Sequence, residues 1–426
     1  MLRRANRLFL PRFTMRILLL PHRLPYPPNR GDKIRTFNVL AHLARQHEVL
    51  LACPVDDQAD LVHVPELEKL CAAVVAEPNS GGRAGAGLRA LVSNSSITVR
   101  HFHFRKLQQR IDALVDDGDI DAVFCFSSPM AEYVFRSRHA HGKLRRAARL
   151  MDLIDVDSYK WRQYEQQSRV PQRWVYAFEA ARLGEYERRI SREFDELFLV
   201  SAQERDCMPA GARTDNLHAL GNGVDLEYFA PRASERANPP TIVFTGVMDY
   251  PPNVQGVQWF ADAVLPRILA RRGDARFVIV GSKPTEAVRR LGQRRNIEVT
   301  GFVQDVRTYL ADAAVCVAPL MVARGVQNKV LEAMAMGKAV VCTPQALEGI
   351  RVPPGDAVVV ASDESAFAAK ILDLIASPSR AAALGAAARR CMEQDFSWSA
   401  SLQPLDALLA RLDTNRALKA AVPVTA

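Results

Sequence analysis

The residues of this chain best suited to chemistry are a lysine and a glutamate three positions apart, Lys329 and Glu332. Between Gly325 and Gly337 the apolar residues recur at helical spacing, so the two side chains share one helix face. The first-turn amides of a helix carry partial positive charge and attract anions. We therefore predict a phosphate site, with Lys329 as a mobile cation and Glu332 as an acceptor for a sugar hydroxyl.

The same spacing has a simpler interpretation. Lysine and glutamate three residues apart are common on solvated helices, where the pair stabilises the helix by only about 0.3 kcal/mol. From Lys329 and Glu332 alone, a surface ion pair is the better interpretation.

The wider segment favours the first interpretation. Glu332-Ala-Met-Ala-Met-Gly-Lys-Ala-Val-Val341 resembles the donor-binding segment of the retaining glycosyltransferases of family 4. That family carries an acidic residue just before Ala-Met-Ala-x-Gly-x-Pro-Val-Val. With Arg-Gly-x-Gln-Asn-Lys preceding it, the segment is most similar to the bacterial sugar transferases of exosortase and exopolysaccharide gene clusters.

The chain departs from the family pattern at the position of the first glutamate. The family has two glutamates flanking seven residues, and the first of them falls on Arg324 here. A guanidinium only donates hydrogen bonds, so Arg324 favours a phosphate or a carboxylate-bearing sugar over a contact with hydroxyls alone.

Length and composition restrict the class of protein. A chain of 426 residues with 48% hydrophobic and 24% charged residues fits two soluble domains. No apolar run approaches the roughly 20 residues that span a bilayer. The net charge of +9 is compatible with an anionic membrane face, a polyprenyl-diphosphate acceptor or nucleic acid, or with solubility alone.

Short apolar runs alternate with helical patterns, which predicts α/β domains with parallel sheets. The resemblance implies the GT-B fold: two Rossmann-like domains facing a central cleft, and a C-terminal helix that crosses back to the first domain. We predict an acceptor domain over 15–225, a nucleotide-sugar domain over 241–395 and the crossing helix over 396–416. The first helix is expected from residue 32 to 45, with Asp32 as its cap.

Ligands of parallel sheets bind beyond the carboxyl ends of the strands. The resemblance implies catalytic roles for Arg324, Lys329 and Glu332. It implies a donor site formed by Gly31, Gly246, Gly281, Val303, Gly325, Asn328, Lys329 and Glu332.

Asp155 and Asp157 form an Asp-x-Asp motif after a predicted strand of the first domain. Three roles stay open for them: acceptor binding, which we favour, capping of the next helix, and metal binding. Lys329, Arg324 and the helix amides can stabilise a leaving phosphate without a metal, so we expect neither a metal nor a cofactor.

A long helical region from residue 156 to 193 is rich in aromatic residues. We expect one or two amphipathic helices with the aromatics facing the core. Trp161 and Trp174 have two alternative roles, lining an acceptor sugar or docking at a membrane.

The seven cysteines are widely spaced and mostly inside apolar runs, which predicts buried thiols in a reducing cytoplasm. The basic segment before Met15 has an apolar stretch that is too short for a signal sequence, and Met15 is a candidate for the first translated residue. We expect a cytoplasmic protein, with peripheral contact at the cytoplasmic face of the inner membrane as a further expectation.

These observations and the family resemblance together predict a metal-independent glycosyltransferase, and the resemblance alone implies that it is retaining. Its partners are expected to be a nucleotide sugar and a polysaccharide or lipid-linked oligosaccharide acceptor, and not nucleic acid. Two alternatives remain: a nucleotide-sugar 2-epimerase of the same fold, and a subunit that binds nucleotide sugar without turnover.

Overall fold

The structure is a computed structural model that describes residues 15–79, 95–232, 239–323, 325–352 and 355–421. The chain forms two compact units. The first contains the chain up to Leu220 and from Leu402 onward, and the second contains Gly221–Ser401.

The described residues of the first unit form a seven-stranded parallel sheet in the order β3-β2-β1-β4-β5-β6-β7. Its central strands are continuous apolar runs because both faces are covered. In the register, Leu18 lies opposite Leu50 on one side and Val123 on the other. The strands are β1 (Arg16–Pro21), β2 (Glu48–Val55), β3 (Ala73–Pro78), β4 (Ala122–Phe126), β5 (Ala148–Ile154), β6 (Glu196–Leu199) and β7 (Leu217–Ala219).

Helices connect these strands and bury their apolar sides on the sheet. They are α1 (Gly31–Leu43), α2 (Val64–Glu68), α3 (Ile97–Phe102), α4 (Arg105–Asp116), α5 (Ala131–Phe135), α6 (Lys143–Arg146), α7 (Asp157–Gln167) and α8 (Gln172–Glu193). Short 3₁₀ turns cover Gln58–His63, Ser128–Met130 and Gln203–Cys207.

The second unit has a six-stranded parallel sheet among its described residues, in the order β10-β9-β8-β11-β12-β13. The order reverses direction between β8 and β11, and such switch points are where open α/β sheets bind ligands. The strands are β8 (Thr241–Thr245), β9 (Arg276–Val280), β10 (Ile297–Gly301), β11 (Val315–Ala318), β12 (Val340–Cys342) and β13 (Val359–Val360).

The helices of the second unit follow its strands in the same alternation. They are α9 (Pro251–Trp259), α10 (Leu265–Leu269), α11 (Glu286–Leu291), α12 (Val306–Asp312), α13 (Asn328–Ala335), α14 (Pro344–Leu347), α15 (Glu364–Ala376) and α16 (Pro378–Asp395). A π-helical turn, Phe260–Val264, joins α9 to α10.

The last helix, α17 (Trp398–Ala421), begins in the second unit, and its residues from Leu402 onward belong to the first. In the first unit Asp406 of this helix lies 2.7 Å from Nε2 of His42 on α1. Within the described residues, no helix has both the length and the hydropathy needed to cross a bilayer.

The parallel α/β fold is confirmed, one local prediction is wrong, and one strand was not predicted. Helix α1 begins at Gly31 rather than Asp32, and the Asp32 carboxylate contacts His22, Arg23 and Arg30 instead of capping the helix. Strand β7 was not predicted, because Leu217–Ala219 is too short to show an apolar pattern.

The cysteines are free thiols, as predicted. Five are buried, and Cys207 and Cys391 are half-buried. Burial raises the pKa of the Cys316 and Cys342 thiols to about 12, so both are inert.

Candidate functional site

The carboxyl edge of the six-stranded sheet brings two backbone segments unusually close together. A Cβ added to Gly281, just after β9, would lie 1.6 Å from the carbonyl oxygen of Gly246, just after β8. A Cβ added to Gly246 would lie 2.8 Å from Nδ2 of Asn253 and 3.4 Å from Cε of Lys329. Glycine is therefore required at both positions, since a side chain at either would collide with neighbouring atoms beside a lysine.

Lys329 lies in the first turn of α13 and points along this edge. Its Nζ donates to Oδ1 of Asn253 at 3.1 Å and to Oε1 of Gln327 at 3.3 Å. The same Nζ lies 5.4 Å from the centre of the Phe244 ring on β8. Two neutral oxygens and an aromatic face hold the ammonium in place without neutralising its charge.

The electrostatics of Lys329 follow from this environment. Burial lowers the pKa of the Lys329 ammonium to about 8, and the carboxylate of Glu332 offsets part of that shift. At neutral pH the lysine is therefore mostly charged but close to titration, as expected for a cation that awaits an anionic ligand.

Glu332 lies one turn further along α13 and is half-buried. Burial raises the pKa of its carboxyl to about 7, and Lys329 offsets part of that shift. Within the described residues, the Glu332 carboxylate has no hydrogen-bond or ion-pair partner. The described contacts therefore do not include the surface ion pair with Lys329 that the simpler interpretation predicts.

The start of α13 has no side-chain cap. Gly325 precedes the helix with φ +59°, a left-handed conformation that glycine adopts without strain. Gln327 is the N-cap residue, but its side chain makes no capping hydrogen bond to the first-turn amides. Asn328 is held by its side chain, since Oδ1 accepts from Nδ2 of Asn222 at 3.1 Å.

The remaining predicted donor residues have different surroundings. Val303 follows β10, which lies two strands from β8 in the sheet, and it is half-buried. Gly31 is exposed at the start of α1, in the first unit. Arg324 lies outside the described residues.

The carboxyl edge of the seven-stranded sheet carries the predicted acceptor residues. Asp155 directly follows β5, and Asp157 is the first residue of α7, where it accepts from Oγ of Ser128 at 3.3 Å. The pKa of Asp155 is raised to about 6, first by burial and then by repulsion from Glu204. Asp157 makes no capping contact, because α7 has no side-chain cap.

Two of the four described non-glycine residues at positive φ lie at the same edge. Ser127, after β4, has φ +69°, and Ile154, the last residue of β5, has φ +67°. A β-branched residue at positive φ is strained, and such strain is typical of functional sites. Among the described residues, no three His, Cys, Asp or Glu side chains are grouped as metal ligands.

Sequence reasoning missed the residues that orient Lys329. Asn253 also donates from Nδ2 to the carbonyl oxygen of Val247 at 2.9 Å, so it fixes the loop after β8 as well as the lysine. The sequence places Asn253 just after the loop that begins at Gly246, but it does not show that the side chain reaches the lysine. Two exposed aromatic residues at this edge, Tyr250 and Phe302, were also missed.

Comparison with known proteins adds independent information. Residues 239–377 match the family described as Glycosyl transferases group 1, which covers the six-stranded sheet and α13. An uncharacterized 44.6 kDa protein in the cps region of Klebsiella pneumoniae is 22% identical over 372 residues, which are 84% of this chain and 90% of that protein.

A second relative has a described activity. The GDP-mannose-dependent monoacylated alpha-(1-6)-phosphatidylinositol monomannoside mannosyltransferase of Corynebacterium glutamicum is 29% identical over 233 residues. The match covers 50% of this chain and 61% of that enzyme.

Among solved structures, sucrose-phosphate synthase from Thermosynechococcus elongatus has a TM-score of 0.67 and 17% identity, covering 94% of this chain and 100% of that one. This likeness shows that the fold is GT-B, with two Rossmann-like parallel-sheet domains. The comparisons support a glycosyltransferase.

Proposed function

We propose that the protein transfers a sugar from a nucleoside diphosphate to a growing polysaccharide or a lipid-linked oligosaccharide, with retention of configuration and without a metal. The observation that carries the proposal is the half-buried ammonium of Lys329, held by neutral oxygens beside Gly246. A fixed cation in the first turn of a helix that has no side-chain cap suits the phosphates of a departing nucleoside diphosphate.

In the proposed reaction, the bond between the anomeric carbon and the phosphate oxygen breaks, and a bond to the acceptor hydroxyl oxygen forms. Negative charge builds on the leaving diphosphate, where Lys329, the amides of α13 and Arg324 stabilise it. The acceptor proton passes to the departing phosphate. Glu332, whose carboxylate has no partner in the described structure, accepts from a hydroxyl of the donor.

The remaining site residues are proposed to contact either the donor or the acceptor. Gly31, Gly246, Gly281, Gly325 and Asn328 contact the donor through backbone or a short side chain, and Val303 lines the base pocket. Asp155 and Asp157 bind the acceptor, where the raised pKa of Asp155 suits a hydrogen bond to a hydroxyl in either protonation state. The cps-region relative and the lipid-directed mannosyltransferase support this acceptor class.

A donor screen tests the proposal. Nucleotide sugars of UDP, GDP, ADP and dTDP are mixed with wild type, Lys329→Ala and Glu332→Ala, with and without EDTA. Thermal stabilisation and slow donor hydrolysis are measured. Lys370→Ala and Glu286→Ala, two exposed positions in the same unit, are the matched controls.

We expect one donor to stabilise wild type and both controls, to be hydrolysed by them, and to do neither with the two site variants, whether or not EDTA is present. Loss of both effects with EDTA would overturn metal independence. Isomerised donor would indicate the epimerase, and binding without any turnover with glycan or lipid-linked acceptors would indicate the non-catalytic subunit.

A further inference from the structure

Helices α7 and α8 of the first unit form a hairpin whose tip is exposed throughout. We define the hairpin tip as residues 169–175, between the end of α7 and the first turn of α8; each of them is exposed. The side chains of Val170, Trp174 and Val175 are 59%, 69% and 50% exposed. The described residues include nine large exposed apolar or aromatic side chains, and three of them lie at this tip.

The base of the hairpin, in contrast, is firmly anchored. Glu179 of α8 accepts hydrogen bonds from the backbone amides of Ile97 and Thr98 at 2.7 and 2.8 Å, at the start of α3. Glu187 accepts from the backbone amide of Ser158 at 3.1 Å. The hairpin therefore presents its tip from a fixed base.

The aromatic residues near the tip differ in their packing. Trp161, Tyr164 and Tyr176 form a cluster between the two helices, with ring centres 5.3 to 6.0 Å apart. Trp174 is outside that cluster and faces solvent. Trp174 therefore does not face the core, which leaves the two alternative roles that the sequence analysis gave it, lining an acceptor sugar or docking at a membrane.

The charge around the tip is strongly of one sign. Residues 160–176 contain four cations, Lys160, Arg162, Arg169 and Arg173, and one acid, Glu165, which gives a net charge of +3. Glu165 approaches Arg173 only at 3.9 Å, and the next acid along the chain is Glu179. The hairpin tip thus carries exposed apolar side chains together with two exposed arginines, Arg169 and Arg173.

We propose that the hairpin tip docks on the surface of a membrane that contains anionic phospholipids. Tryptophan is favoured at the interface between headgroups and acyl chains, where its ring is apolar and its N–H finds a polar partner. Arginines beside it contact lipid phosphates. The proposal does not depend on the sugar-transfer reaction, because its test measures binding to vesicles.

Other occupants fit the tip less well. A second copy of the chain would bring two tips of net charge +3 together, which is repulsive. A soluble polyanion would satisfy the arginines but leave Val170, Trp174 and Val175 in water. A lipid surface satisfies both groups at once.

Flotation of the full chain with vesicles tests the proposal. Vesicles of phosphatidylcholine alone are compared with vesicles in which about one third of the lipid is phosphatidylglycerol. The variants are Trp174→Ala and the pair Arg169→Ser with Arg173→Ser. Matched controls are Val62→Ala, at an apolar side chain that is 74% exposed, and the pair Arg145→Ser with Arg146→Ser, both exposed.

We expect wild type to float with anionic vesicles and not with neutral ones. The partition coefficient should fall about fivefold for each tip arginine removed, roughly 25-fold for the pair. Trp174→Ala should reduce it about tenfold. Both controls should bind like wild type, and brominated lipids should quench the tryptophan fluorescence of wild type but not of Trp174→Ala.

Several results would overturn the proposal. These are equal binding to both vesicles or to neither, an equal loss in the Arg145 and Arg146 pair, and dimerisation that Trp174→Ala abolishes. The wild type must also stay bound to anionic vesicles when a soluble polyanion is added. If a stoichiometric amount of polyanion displaces the protein from the vesicles, the tip binds the polyanion instead. Nucleoside diphosphate binding by the same variants stays unchanged, so failure here is distinguishable from failure of the proposed function.

Discussion

The affinity for a nucleoside diphosphate should fall as the pH rises from 7 to 9, because Lys329 loses its charge in that range. With a pKa of about 8, the lysine is about nine-tenths protonated at pH 7 and about one-tenth at pH 9. If only the ammonium form binds phosphate, Kd rises about tenfold, or about 1.4 kcal/mol. The donor's own charge must be controlled, since it also depends on pH.

Lys329→Arg is the control for the titration of the ligand. The ligand changes charge equally with both proteins, so a difference between them reports on residue 329. A guanidinium stays charged throughout this range, so the variant should bind with nearly the same Kd at pH 7 and pH 9. Lys329→Met should bind weakly at both. In Glu332→Gln, Kd should still rise with pH, but the midpoint of the rise should lie at a lower pH, because the carboxylate of Glu332 stabilises the charge on Lys329.

Isothermal titration calorimetry in two buffers of different ionisation enthalpy measures this directly. The bound phosphate raises the pKa of Lys329, so wild type should take up about half a proton at pH 8. A Kd that is flat from pH 7 to 9 in wild type, or the same slope in Lys329→Met, would refute the assignment of Lys329 to the phosphates.

Three further predictions concern stability. Gly281→Ala should destabilise the protein by at least about 3 kcal/mol, because its Cβ would meet backbone at 1.6 Å. Gly301→Ala, with nothing within 4 Å, should cost about 1 kcal/mol; equal Tm losses would contradict this steric account. Arg35→Met should cost about 4 kcal/mol in urea unfolding, because it leaves Asp152 buried without the guanidinium 2.6 Å away, and a second change, Asp152→Leu, should recover most of the loss. Since the pKa of Glu332 is raised from 4.5 to about 7, the folded state holds its proton more tightly, and this group reduces stability as the pH rises from about 4.5 to 7. Glu332→Gln should therefore have a higher Tm than wild type at pH 8 but not at pH 4, which a pH series of melting curves checks.

Most of the sheet could be predicted because buried parallel strands are continuous apolar runs. Strand β4, Ala122–Phe126, is entirely buried, and its sequence is wholly apolar. Strand β7, Leu217–Ala219, is half-buried or exposed and only three residues long, so its pairing with β6 depends on the neighbouring strand rather than on its own sequence.

The candidate site was only partly predictable. Helical spacing identifies Lys329 and Glu332 as neighbours on α13, and the comparisons support the class of reaction. Sequence spacing does not reveal that Asn253 orients the lysine, because the direction of a side chain after a loop depends on packing. The sequence left the exposure of Trp174 open for a related reason, since periodicity assigns a helix face but not where the neighbouring helix ends.

The charges of Lys329 and Glu332 argue that the site is built for a ligand rather than for stability. Burial shifts the pKa of each group towards its neutral form, by about 3 kcal/mol for the lysine. A lysine placed for stability would have a carboxylate partner, whereas the described partners of Lys329 are two neutral oxygens. An anion bound at the start of α13 would supply the missing charge, so the free energy that the fold loses at this position is regained on binding.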